Sequence, residues 1–174
     1  AGVDVAALVF ARLDPALRVR ALMKDGSVLG AGDRVADVEG SVASILMAER
    51  TALNFLQRLS GIATETSRFV REVAGYRAAI LDTRKTTPGL RKLEKYAVRV
   101  GGGKNHRYNL GDGILIKDNH IKAASSRGLG LADVVKMARE GAPHTLKVEV
   151  EVEEMGQVKE ALDAGADVLM LDNM

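Results

Sequence analysis

The sequence predicts an α/β protein in two parts: a small antiparallel sheet with helices, then parallel strands alternating with helices. Three observations carry this. Between residues 17 and 40, short β-like runs are broken by the turn signals Asp25-Gly26 and Gly32-Asp33. From Tyr76 onward, near-continuous apolar runs alternate with amphipathic stretches, the pattern of parallel strands covered by helices, either doubly wound or barrel. Finally, four of those apolar runs end in charge. Residues 78–81 run into Asp82-Thr83-Arg84-Lys85-Thr86-Thr87-Pro88, 113–116 into Lys117, 146–150 into Glu151, and 167–171 into Asp172. The carboxyl ends of strands are where such folds keep their active sites, so the coincidence points to an enzyme.

Taken in order, residues 1–13 carry apolar side chains at helical spacing (Val5, Leu8, Val9, Leu13) before Asp14-Pro15. The runs 18–22, 27–29 and 34–38 read as short strands that bury little alone and so pack on another element. A long helix follows from a Ser41 cap, its apolar face formed by Ile45, Leu46, Ala48, Ala52, Leu53, Leu56 and Leu59. Ser60-Gly61 is expected to interrupt it, with a second helix over 64–73 ending at Gly75. Strands are then expected at 78–82, 113–117, 146–151 and 167–171, and helices near 90–100, 131–140 and 155–164. A closed eight-stranded barrel needs about 250 residues. The chain therefore reads as part of a longer protein, with half of a barrel in view.

Composition narrows the function. Absence of Cys excludes disulfides, thiolate metal sites and a Cys nucleophile, and suits a reducing cytoplasm. Aromatics at 3% with no Trp argue against recognition of nucleic acid by stacking. No apolar run approaches the roughly 20 residues that span a bilayer, and residues 1–13 lack the basic region of a signal peptide. Residues 82–122 hold ten Lys/Arg against four acids, a local charge of +6 within a chain of net +2. A basic centre in an otherwise acidic chain suits a small anion focused into a cleft. Part of that charge, on Arg91, Lys92, Lys95 and Arg99, has the spacing of a solvated helix stripe.

The candidate site is built from Arg84, Lys85, His106, Arg107 and Lys117, enough cationic groups to surround a ligand with two carboxylates. Glu151 and Asp172 are acids among them. They can hold a sugar hydroxyl, stabilise developing positive charge, coordinate Mg²⁺, or simply pair with Lys85 or Lys117. Alternation in Val148-Glu149-Val150-Glu151 puts both glutamates on one face, so only one need enter the site. Gly101-Gly102-Gly103-Lys104 is not a Walker loop, because Val98 and Asn105 stand where Gly and Ser/Thr belong. Its glycines instead end a helix and let the loop bearing His106-Arg107 approach closely. His106 and His120 lack zinc-site spacing, and no Ser lies in a nucleophile elbow.

Five motifs together resemble the quinolinate phosphoribosyltransferase family: Glu49-Arg50-Thr51-Ala52-Leu53-Asn54, residues 57–64, Asp82 to Gly89, Gly101 to Arg107, and Ile116-Lys117-Asp118-Asn119-His120. The resemblance covers essentially the whole chain. It implies part of an N-terminal α/β sandwich domain with connecting helices (1–75) and the first half of a (β/α) barrel (76–174). It also implies transfer of a phosphoribosyl group from phosphoribosyl pyrophosphate to quinolinate with decarboxylation and Mg²⁺, giving nicotinate mononucleotide, pyrophosphate and CO₂. On that basis Thr83, Arg84, Lys85, His106, Arg107 and Lys117 line the quinolinate pocket. Glu151 and Asp172 lie near the ribose, with Lys85, Glu151 and Asp172 catalytic. Arg50 reaches a neighbouring subunit's site in a homodimer or higher assembly. Neither nucleic acid nor membrane is an expected partner. Two other readings stay open: a related phosphoribosyltransferase of this fold acting on another substrate, such as nicotinate or that of the molybdenum-transport-associated homologues, and a non-catalytic anion-binding remnant.

Overall fold

The computed structural model describes residues 1–174, which divide into two compact units, Ala1–His106 and Arg107–Met174. No helix is long and apolar enough to cross a membrane.

In the first unit, helix α1 (Val3–Leu13) precedes an antiparallel ribbon of β1 (Arg18–Ala21) and β2 (Ala36–Glu39), registered Arg18 to Glu39 and Ala21 to Ala36. Phe10, Leu17, Ala48 and Ala52 form its core, with Val9, Val19, Val38 and Ile45 packed on them. The ribbon thus buries one face on helices, as expected of strands too short to stand alone. The expected third strand at 27–29 does not form. Val28 is 97% exposed, so burial gives it nothing, and the chain there is spent on turns. Asp25 does more than mark a turn. Its carboxylate accepts the backbone N–H groups of Gly2 (2.7 Å) and Val3 (3.1 Å), satisfying orphan donors at the start of α1.

The Asp25 carboxylate also accepts the Tyr96 hydroxyl at 2.7 Å. That hydrogen bond, with burial and the carboxylate's charge, pushes the Tyr96 phenol up to about 12. An ordinary phenol titrates near about 10. The folded value is the higher one, so this contact stabilises the fold fully below the ordinary value and loses its effect as pH rises toward about 12. The melting temperatures of the parent and a Tyr96→Phe variant should therefore converge across that alkaline window. A gap that stays constant through it would show that the phenol does not couple to folding.

Helix α2 (Val42–Glu72) starts at Ser41, whose hydroxyl accepts the Ser44 N–H at 3.4 Å. It runs unbroken through Ser60-Gly61, correcting the expected interruption. Glycine in a helix costs about 1 kcal/mol against alanine, and the buried residues on either side of it, Leu59 and Ala63, offset that cost by packing. Helix α3 (Arg91–Val100) ends at Gly101, as expected. A Cβ on Gly101 would lie 2.4 Å from the Ala63 carbonyl oxygen, and one on Gly103 would lie 2.8 Å from the Thr66 side chain. The glycine run thus lets the backbone press against α2. The expected strand at 78–82 is reduced to one parallel bridge between Leu81 and Lys104. Its apolar residues are largely exposed, Leu81 at 54%, and no strand runs alongside to continue a ladder.

The second unit is a three-stranded parallel sheet in the order β3 (Ile114–Ile116), β4 (Val148–Val152), β5 (Val168–Leu171). Between β3 and β4 lie α4 (Asp118–Ser125), absent from the expected elements, and α5 (Leu131–Gly141). Helix α6 (Met155–Asp163) joins β4 to β5. Val148, Val150 and Val152 are fully buried against Leu131, Val135 and Ala161, so α5 and α6 cover the same face of the sheet. Sequential strands with crossovers on one side wind as a barrel does rather than as a doubly wound sheet. The α/β class is borne out, and these three strands do not themselves close a barrel.

Candidate active site

In the first unit, Asp82 sits at the end of the Leu81 bridge and its backbone N–H donates to the Lys104 carbonyl at 3.1 Å. Thr83, Arg84 and Lys85 follow in a tight turn. The Thr83 hydroxyl accepts the Lys85 N–H (3.0 Å), and the Arg84 carbonyl accepts the Thr86 N–H (3.0 Å) and Arg91 Nη2 (3.3 Å). Lys85 and Thr83 face solvent, while Arg84 is half-buried. The Arg84 Nε is buried with no hydrogen-bond partner. A buried guanidinium donor left unmade costs free energy and asks for an acceptor the chain itself does not supply. Below this turn, Glu94 accepts Arg58 Nε (3.0 Å) and the Thr87 N–H (3.2 Å). Burial would raise its carboxyl, but those bonds and the Arg58 charge outweigh it and hold it below the usual range.

Lys95 corrects a sequence expectation. Its spacing with Arg91, Lys92 and Arg99 suggests a solvated stripe, yet its side chain is 1% exposed and ion-paired to Asp82, itself 8% exposed. His106 is half-buried, its backbone N–H donating to Asp82 Oδ1 at 2.8 Å. Arg50 stands exposed on α2 between the buried Ala48 and Ala52.

In the second unit, the parallel register sets Ile116 beside Val150 and Glu151 beside Met170, so Lys117, Glu151 and Asp172 come off neighbouring strand ends. Lys117 Nζ donates to Glu151 Oε2 at 2.7 Å, the lysine 47% exposed and the glutamate 9%. This hydrogen bond raises the Lys117 ammonium above its ordinary value, helped by the charges of Glu151, Asp172 and Asp118 and opposed by burial. Glu151 is thus paired with Lys117, which leaves Lys117 an exposed flank for a ligand. Lys117 also starts α4, its backbone N–H donating to His120 Nδ1 at 2.9 Å. Glu149 is buried on the same sheet face as Glu151. Arg107 donates to the Gly113 carbonyl at 3.1 Å, just ahead of β3. No cluster of three or more His, Asp or Glu able to hold a metal occurs.

Sequence reasoning missed Asp82, Lys95, Asn105, Arg58 and Glu94 as supports of the site. No local signal marks them: Glu94 and Lys95 lie on the buried face of α3 with Ala97, and their partners Arg58 and Asp82 come from elsewhere in the chain.

Residues 62–174 match the family model described as quinolinate phosphoribosyl transferase, C-terminal domain, and residues 1–60 match that of the N-terminal domain. A probable nicotinate-nucleotide pyrophosphorylase [carboxylating] of Bacillus subtilis is 51% identical over 94% of this chain and 55% of its own length. A quinolinate phosphoribosyltransferase [decarboxylating] of Nicotiana tabacum, named as mitochondrial, is 43% identical over 100% of this chain and 50% of its own. The crystal structure of NadC from Streptococcus pyogenes aligns with TM-score 0.92 at 49% identity, over 100% of this chain and 60% of that one. The chain thus spans between half and three fifths of these relatives' lengths.

Proposed function

The chain belongs to the quinolinate phosphoribosyltransferase family, and from that premise we propose that it serves phosphoribosyl transfer from phosphoribosyl pyrophosphate to quinolinate with decarboxylation. The reaction gives nicotinate mononucleotide, pyrophosphate and CO₂, a step toward NAD. The observation that carries this is the buried, unpartnered Arg84 Nε within the basic turn after the Leu81 bridge. A planar carboxylate is the acceptor that suits it. Thr83, Arg84, Lys85, His106, Arg107 and Lys117 are the groups proposed to bind the dicarboxylate and fix the ring.

Attack of the ring nitrogen on the sugar carbon expels pyrophosphate through a state with positive charge on the ribose. Glu151 and Asp172 stabilise that charge electrostatically. The adjacent carboxylate then leaves as CO₂, its bonding pair staying on the ring carbon beside the positive nitrogen, which stabilises it until a proton from solvent takes the vacated position, while the cations hold the remaining carboxylate. Lys117 joins the two halves of this work, pairing with Glu151 and offering its exposed flank to substrate. Mg²⁺ is proposed as an ion carried by substrate, because it keeps waters and takes one or two carboxylates rather than a protein cage, and Glu151 and Asp172 are the acids that could reach it. When bound, it would neutralise charge on the departing pyrophosphate. A cytoplasmic location accords with the absence of Cys.

Product analysis tests the reading. This chain, and a form carrying its relatives' full length, are supplied with quinolinate and nicotinate together, phosphoribosyl pyrophosphate and Mg²⁺. Nicotinate mononucleotide and CO₂ should appear in equal amounts. Consumption of nicotinate in place of quinolinate would replace this reading with the alternative substrate.

We further propose a homodimer in which Arg50 completes the neighbouring subunit's site, supported by its exposure on α2 and by its place in the family motif. Mixing Arg50→Ala with Lys85→Ala protein should then restore activity through one intact hybrid site. No restoration, with subunit exchange demonstrated, would rule the shared site out.

A further inference from the structure

We infer that Lys95 and Asp82 are positioning residues, which set the two ligand-bearing segments of the first unit in one frame; the inference rests on the quinolinate site proposed above. A lysine is almost never fully buried without a partner. This one is 1% exposed, and its ammonium pairs with Asp82. Buried pairs add little net stability over apolar residues of the same volume, so their use lies in what else they fix. Here they fix a peptide. Lys95 Nζ donates to the His106 carbonyl at 3.3 Å, and Asp82 Oδ1 accepts the His106 N–H at 2.8 Å. The backbone of His106 is thus held at both its donor and its acceptor by interior side chains.

Asn105 completes the frame. Its Nδ2 donates to Asp82 Oδ2 at 2.6 Å and to the Lys95 carbonyl at 3.0 Å. The Asp82 carboxylate therefore takes donors on both oxygens, and its own backbone N–H is tied to Lys104. Asp82 directly precedes Thr83-Arg84-Lys85, so the same residue that pins the loop of His106 anchors the start of the cationic turn. Neither side chain need touch substrate. Without the frame, the two segments keep their sequence but lose their common reference, and a pocket displaced by about an ångström binds and orients poorly.

The test uses Lys95→Met, which removes the charge and keeps the volume, and Asn105→Ala, which removes one arm without stranding a buried carboxylate. Leu17→Ala, in the core formed with Phe10, Ala48 and Ala52, serves as the control for destabilisation alone. Two readouts are taken on folded protein: quinolinate affinity by calorimetry, and the His106 imidazole signals by NMR without ligand. Lys95→Met should weaken quinolinate about tenfold or more, and Asn105→Ala should weaken it several-fold. Both should shift His106 while leaving His144 in place. Leu17→Ala should change neither readout, however far it lowers the melting temperature. If Lys95→Met does not fold, Asn105→Ala decides alone. Affinity and His106 signals unchanged from the parent would overturn the inference. A parent that binds no quinolinate would sink the site reading instead, and the His106 signals would still decide whether the frame positions the loop.

Discussion

Replacing Arg84 with alanine is expected to weaken quinolinate binding by roughly 1.5–3 kcal/mol, the scale of a charge-assisted hydrogen bond. In affinity that is about ten- to hundredfold. The reason is specific to its setting. The Nε of Arg84 is buried and lacks an acceptor in the chain, so the free protein carries a cost that a carboxylate relieves on binding. Its backbone carbonyl is separately held by Arg91 and Thr86, so truncating the side chain leaves the turn intact. Arg84→Lys should recover only part of the loss, because an ammonium cannot present the planar fork. An Arg84→Ala variant that binds quinolinate as well as the parent would remove this residue from the pocket.

Glu151→Ala should act on turnover. With Asp172 it is the acid proposed to face the sugar, and removing one preorganised charge from a transition state typically costs about a hundredfold or more. Quinolinate affinity should stay nearly intact. The lysine that loses its partner is 47% exposed, so its ammonium remains hydrated and the fold pays little. Single-turnover rates with saturating substrates, set beside calorimetric affinities, separate the two effects. A tenfold loss of quinolinate affinity with the rate unchanged would reassign Glu151 to the dicarboxylate.

The legible parts of this molecule are those where burial is continuous along the chain. Val148, Val150 and Val152 announce a strand with one fully buried face, and the flanking runs at 114–116 and 168–171 pair with it as their apolar pattern suggests. From parallel strands in register, the adjacency of Lys117 and Glu151 follows with no knowledge of the loops. Where the sequence misleads, local signals meet long-range ones. Ala78 to Leu81 is apolar enough for a strand, but strands need neighbours, and only Lys104 answers it. Ser60-Gly61 signals a helix end that packing at Leu59 and Ala63 overrides. Helix α4 escapes notice because Ile121 is its only large apolar residue and shows no period. Lys95 escapes because its partner, Asp82, stands thirteen residues away in sequence. A lysine on a charged helix is ordinarily solvated, and nothing local says otherwise.

The cationic groups proposed to bind quinolinate should hold a ligand with two carboxylates in preference to one. Calorimetric titration of quinolinate and of nicotinate into the unaltered protein tests it most directly. Quinolinate should bind about tenfold or more tightly than nicotinate, because its second carboxylate makes a charge-assisted hydrogen bond that the monocarboxylate cannot. Equal affinity for the two ligands would contradict it.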